Sequence, residues 1–90
     1  MLIFNKNDYV IYNLDRMDQM YISRTDKDQY VIRIILNNDV FNTLCVDNSK
    51  ELMQKVMCDI YIHMTYGSGN YILDLNEFKE RINEENSCNV

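Results

Sequence analysis

The run Asn48–Tyr66, NSKELMQKVMCDIYIHMTY, constrains this chain most, because it reads as one long helix closed at both ends. Asn48 is placed to cap it, and Glu51, three residues on, is placed to reach back and complete a capping box. Gly67-Ser68-Gly69 stops it, using the only two glycines of the chain where a left-handed C-terminal residue is wanted. Steps of about 100° per residue gather Leu52, Met53, Val56, Met57, Ile60, Tyr61 and Met64 on one broad arc, the expected core face. The rest of the helix is not uniformly polar. Cys58, Ile62 and Tyr66 recur every four residues among Glu51, Lys55 and Asp59. A helix with two apolar stripes asks for a second covering surface.

Strand patterns precede it. Leu2–Phe4 and Tyr9–Leu14 are short apolar runs around the turn-like Asn5-Lys6-Asn7-Asp8. Gln19–Arg24 and Tyr30–Leu36 flank the polar connection Thr25-Asp26-Lys27-Asp28, and Asn37-Asn38-Asp39 reads as a tight turn into Val40–Val46. Beyond the long helix, Tyr71–Leu73 is a last short strand. Asp74 or Asn76 caps a second helix, Glu77–Glu85, with a thin stripe of Leu75, Phe78 and Ile82. The expected class is α+β: an antiparallel meander of four to five strands on one main helix, with a short final strand and a small C-terminal helix. Residues 1–86 are expected to form a single domain and 87–90 a disordered tail.

Tyr30–Leu36 repeats the excess of apolar surface. Tyr30, Ile32, Ile34 and Leu36 share one face, while Val31, Arg33 and Ile35 share the other. Apolar character on both faces marks a strand covered twice, and ninety residues supply little chain for two covers. Such a small domain buries only about 60% of its unfolded surface, so oligomerisation is the expected extra support.

Chemistry is poorly represented. Cys45, Cys58 and Cys88 are odd in number and irregularly spaced, and the chain enters Leu2–Phe4 without a basic leader. A reducing compartment, the cytoplasm, is therefore expected. The longest apolar stretch falls far short of the about 20 residues that span a membrane. The net charge of −5 is spread among mixed signs, which argues against binding a phosphate backbone directly. His63 is the only histidine, and a separation of about 140° around the helix keeps it from Cys58. No CxxC, HxxxH or HExxH spacing occurs, and Asp26-Lys27-Asp28 lacks the glycine and later glutamate of a calcium loop. No catalytic residue, metal ligand or cofactor is expected, and the chain reads as a binding protein, not an enzyme.

The binding residues are sought among the aromatic ones. Seven tyrosines are many for this length, and tyrosine gives large contact area with a polar tip. Alternation is expected to gather Tyr12, Tyr21 and Arg33 on the less covered sheet face, where the arginine offers a planar fork to a carboxylate or phosphate. With Cys58, Ile62 and Tyr66 they form the expected partner or dimer interface.

The segments LIFNKNDYVIYNLDRMDQMYIS, YVIRIILNN, the capped helix and GSGNYILDL resemble small phage and prophage accessory proteins of low-GC Gram-positive bacteria. The resemblance is one of pattern, covers residues 1–75 or so, and carries no catalytic motif. It implies a stoichiometric inhibitor of a host defence protein, as anti-CRISPR proteins are, acting as a homodimer. The alternative expectation is an oligomer that sequesters a nucleotide signal, with Arg33 and the tyrosines holding phosphate and base.

Overall fold

The structure, a computed structural model, describes residues 1–37, 41–67 and 69–88, the side chains as far as residue 82. Its elements are β1 (Leu2–Asn5), β2 (Val10–Asn13), β3 (Met17–Arg24), β4 (Tyr30–Leu36), β5 (Phe41–Asp47), α1 (Lys50–Tyr66), β6 (Tyr71–Leu73) and α2 (Leu75–Cys88). The α+β class is as the pattern predicts. The strands, however, divide between two three-stranded sheets, ordered β2-β1-β6 and β3-β4-β5, instead of running as one meander. The break lies at a 3-10 turn over Leu14–Arg16, where Asn13 accepts from the Asp15 N–H and Leu14 donates to the Met1 carbonyl. That turn carries the chain out of the first sheet, and the free edge of β1 pairs in parallel with β6. The second sheet is an antiparallel meander.

The core lies where α1 and the inner faces of both sheets meet. Ile3, Ile32, Ile34, Leu44, Met53, Val56, Ile60 and Leu73 are almost wholly buried there. At about 1.5–3 kcal/mol for each large apolar side chain removed from water, this cluster is the main stabilising term. The arc predicted for α1 holds through Ile60; Tyr61 and Met64 are exposed, because the last turns overhang the core.

The ends of α1 differ from expectation in instructive ways. Ser49, not Asn48, is the cap. Its Oγ accepts from the Leu52 N–H at 3.1 Å, and its own N–H donates to Asp47 at 2.9 Å. Gly67 is not left-handed (φ −84°). It is needed because a Cβ there would stand 2.7 Å from the His63 carbonyl oxygen, which already accepts the Gly67 N–H. Gly69, at φ 85°, makes the left-handed turn into β6. Asp74 caps α2 through the Glu77 N–H, so that helix starts earlier than Glu77 and runs to Cys88, into the stretch expected to be a tail. Most of the expected turn at Asn37-Asn38-Asp39 falls outside the described residues, although Asn37 adopts φ 53°.

One irregularity joins the two sheets. Ile32 pairs with Cys45 but Arg33 pairs with Thr43, so Leu44 is the extra residue of a β-bulge and its carbonyl leaves the ladder. Asn5, the one buried polar residue of the described core, donates to that carbonyl through Nδ2 at 2.5 Å. Tyr12 donates its hydroxyl to the neighbouring Thr43 carbonyl at 3.3 Å. Asn5 Oδ1 in turn accepts from the N–H groups of Asn7 and Asp8 and shapes the β1–β2 turn.

Candidate functional site

The six residues expected at an interface fall in four places. Cys58 and Ile62 stand on the outer side of α1, where both are exposed and line a groove of about 450 Å³ closed opposite by Phe78, Arg81 and Ile82 of α2. Tyr66 is exposed at the helix end and does not line that groove. Tyr21 and Arg33 are direct cross-strand partners on the outer face of the second sheet. Tyr12 does not join them. It points to the inner side of the first sheet, partly packed on the core, and its hydroxyl pKa is raised by burial and then by the Asp8 charge.

Arg33 sits in an apolar setting. Its guanidinium carbon lies 4.2 Å from the Phe41 ring centroid, a cation–π distance, and Nη1 reaches Ser23 Oγ at a long 3.5 Å. Its Nε is buried with no acceptor among the described residues. On the same face Val31 is fully buried, while Phe41 and Val46 remain exposed.

A second polar cluster lies between α1, β6 and α2. Tyr71 donates its hydroxyl to Asp59 at 2.5 Å, and burial first, then that carboxylate, holds its pKa well above the usual phenol value. The His63 ring meets Tyr71 edge-on at 5.3 Å, and its Nε2 is buried without a hydrogen-bond partner among the described residues. These groups border a pocket of about 510 Å³ whose rim mixes Lys6 and Arg81 with Asp74 and Glu77. Cys45 is embedded in the core, 3.7 Å from the Met53 sulfur, and burial foremost pushes its thiol up to about 12. It is a packed thiol without nucleophilic character at neutral pH. No group of three or more metal-ligating side chains stands together among the described residues.

A further apolar surface was not singled out from the sequence. Ile11, Phe4 and Ile72 lie in register across β2, β1 and β6, on the face turned away from the core. Ile11 is 63% and Ile72 65% exposed. Leu2 extends the row, and Tyr9 flanks it, 6.4 Å from the Phe4 ring. Tyr9 is highly exposed and held at φ 55°, a conformation bulky residues avoid.

No protein family, curated protein or solved structure matches this chain. The signal for the apolar row was present in the sequence. LIF and VIY are apolar at consecutive positions and fill both faces of a strand, but runs of four residues show too little alternation to say which face stays bare.

Proposed function

We propose that this chain is a non-enzymatic protein-interaction module that binds a partner polypeptide through the outer face of its first sheet. The observation that carries the reading is the in-register row Ile11–Phe4–Ile72 with Tyr9 beside it. Scattered exposed apolar residues are ordinary; here three stand in register on adjacent strands, and Ile11 and Ile72 are both largely exposed, so they offer a partner one continuous surface. The strained Tyr9 fits the same reading, since an unfavourable backbone conformation that presents a large aromatic outward is retained at a cost in stability. The resemblance to phage accessory proteins makes an inhibitor that occupies a site on a host defence protein the natural form of such a module.

Size refines the reading. Strands of four, four and three residues, about 4.8 Å apart and rising about 3.3 Å per residue, make a face of roughly 175 Å². A standard interface takes about 800 Å² from each partner. The row is thus an anchor of the kind that dominates binding energy, and the partner must extend past it, over Tyr9 and the sheet edges. Two copies meeting through this row alone would associate weakly. The homodimer would also need the exposed end of α1. A nucleotide-binding role is less favoured, because Tyr12 is tied to Thr43 and is not grouped with Tyr21 and Arg33.

Affinity capture from a defence-competent bacterial host, comparing the native chain with an Ile11→Glu/Ile72→Lys variant, tests the proposal. Both side chains are exposed, so the variant is expected to keep its fold. A protein retained by the native chain and lost with the variant supports the reading. Equal retention by both, or none by the native chain, overturns it.

A further inference from the structure

We propose that the outer face of the second sheet is a separate docking site for a partner segment that presents one carboxylate between apolar neighbours, with Arg33 as the anchor. The inference rests on the reading of the chain as an interaction module but concerns a different surface. Arg33 lies mid-strand in β4, the central strand, with Tyr21 on one side and Thr43 on the other. Around it on the same face are Val31, Ile35 and Phe41. A guanidinium keeps its charge in any such setting. Stacked on Phe41, it gains a cation–π contact, yet its Nε–H is left in a buried position without an acceptor among the described residues. Unmet donors of this kind are costly.

The chemistry of the occupant follows from what would meet that donor. A carboxylate takes two parallel N–H bonds from the Nε–Nη edge once the side chain turns outward, while apolar flanks cover Phe41 and Val46. A neutral apolar segment would deepen the burial and leave the donor unmet. A second copy facing this sheet would set one Arg33 against another. A phosphate backbone calls for clustered cations, whereas this chain carries a net charge of −5. The occupant is therefore an acidic side chain on an otherwise apolar protein segment.

The test uses the full isotope-labelled chain and two probes, acetyl-Thr-Val-Glu-Val-Thr-amide and its Gln counterpart, followed by the backbone amide and arginine Nε–Hε signals in NMR titrations. The Glu peptide is expected to bind about tenfold more tightly than the Gln peptide and to shift the Arg33 Nε–Hε signal, since a charged hydrogen bond is worth about that factor. Arg33→Gln should erase the preference, and Arg33→Lys, which keeps the charge but not the fork, should restore only part of it. Equal affinity for the two peptides, or an unmoved Arg33 signal, overturns the proposal. Shifts confined to Phe4, Ile11 and Ile72 would also overturn it while leaving the first-sheet reading intact. If the variants do not fold, the two-peptide comparison on the native chain decides.

Discussion

Replacing Asn5 tests whether the two sheets are held together by the side chain that bridges them. Asn5→Ala removes the Nδ2 donor from the Leu44 carbonyl, which the bulge has taken out of the β4–β5 ladder. A buried carbonyl stripped of this side-chain donor costs about 1–3 kcal/mol. The Oδ1 bonds to the Asn7 and Asp8 N–H groups are lost as well, but water reaches that turn, so they add about 1 kcal/mol together. The total is about 2–4 kcal/mol. A ninety-residue domain has roughly 5–13 kcal/mol to lose, and the melting temperature should fall by roughly 10–30 °C. Urea denaturation at pH 7 is the assay, with an unchanged slope showing that the same surface is exposed on unfolding. Asn5→Asp sharpens the test. It keeps acceptors for the turn but sets a carboxylate against the Leu44 carbonyl and against the Asp8 carboxylate, which accepts from the native Asn5 Nδ2 at 3.2 Å, so it should be at least as destabilising at pH 7 and partly recover as acid protonates it. A stability of Asn5→Ala within about 0.5 kcal/mol of the native chain, the range of ordinary surface changes, would refute the bridging role.

Other outcomes follow from the same geometry. Tyr9→Asn should stabilise the fold by about 0.5–1 kcal/mol, because asparagine tolerates the left-handed conformation held there, while weakening capture of the partner; thermal melts and pull-down together check this. In a Cys88→Ser background, a thiol reagent at pH 8 should modify Cys58 in the native protein and Cys45 only after unfolding, since Cys58 is exposed and Cys45 is buried with its thiol pushed up to about 12. Burial alone would raise the Asp47 pKa, but the Lys79 ammonium at 2.7 Å and the N–H groups of Ser49 and Asn48 outweigh it and hold the group below its ordinary value. That contribution is present above the unfolded carboxylate range and disappears as pH falls through the lower folded value. Urea midpoints taken downward from pH 6 should therefore drop less steeply below about pH 4 in Lys79→Met than in the native chain.

Legibility in the sequence tracked length and local sufficiency. β4 and α1 were legible because seven and seventeen residues give room for a period to repeat and for caps to show. The α1 cap was misplaced by one residue, because Asn48 and Ser49 are both good caps and only the Asp47 bond to the Ser49 N–H decides between them. The division into two sheets was not legible. It depends on the pairing of Ile3 with Tyr71, sixty-eight residues apart, in strands of four and three residues. The misplacement of Tyr12 has the same origin: alternation fixes a residue's face relative to its own strand, not which sheet the strand joins. Asn5 was hidden for another reason. A polar residue ending an apolar run reads as the start of a turn, and only the distant bulge at Leu44 makes it a buried bridge.

The exposed apolar surfaces follow from the topology more than from any single residue. Two sheets that share one core have two outer faces, and the described residues form two α-helices with which to cover them. α1 is spent between the sheets, where Leu52, Met53, Val56 and Ile60 fill the core. α2 sends Leu75 and Phe78 into the same core and lies beside α1 and the β6 edge of the first sheet. The outer row at Ile11–Phe4–Ile72 and the Phe41 and Val46 side of the Arg33 face are therefore left exposed together. Lengthening a loop or improving a cap would not cover them, because no described element is placed to do so. A selection for stability alone would replace Ile11, Ile72 and Phe41 with polar residues at little cost, as exposed strand positions allow. Their presence on two separate faces is what the interaction reading accounts for, and it assigns each face its own chemistry: an apolar anchor on the first sheet and a charged one on the second.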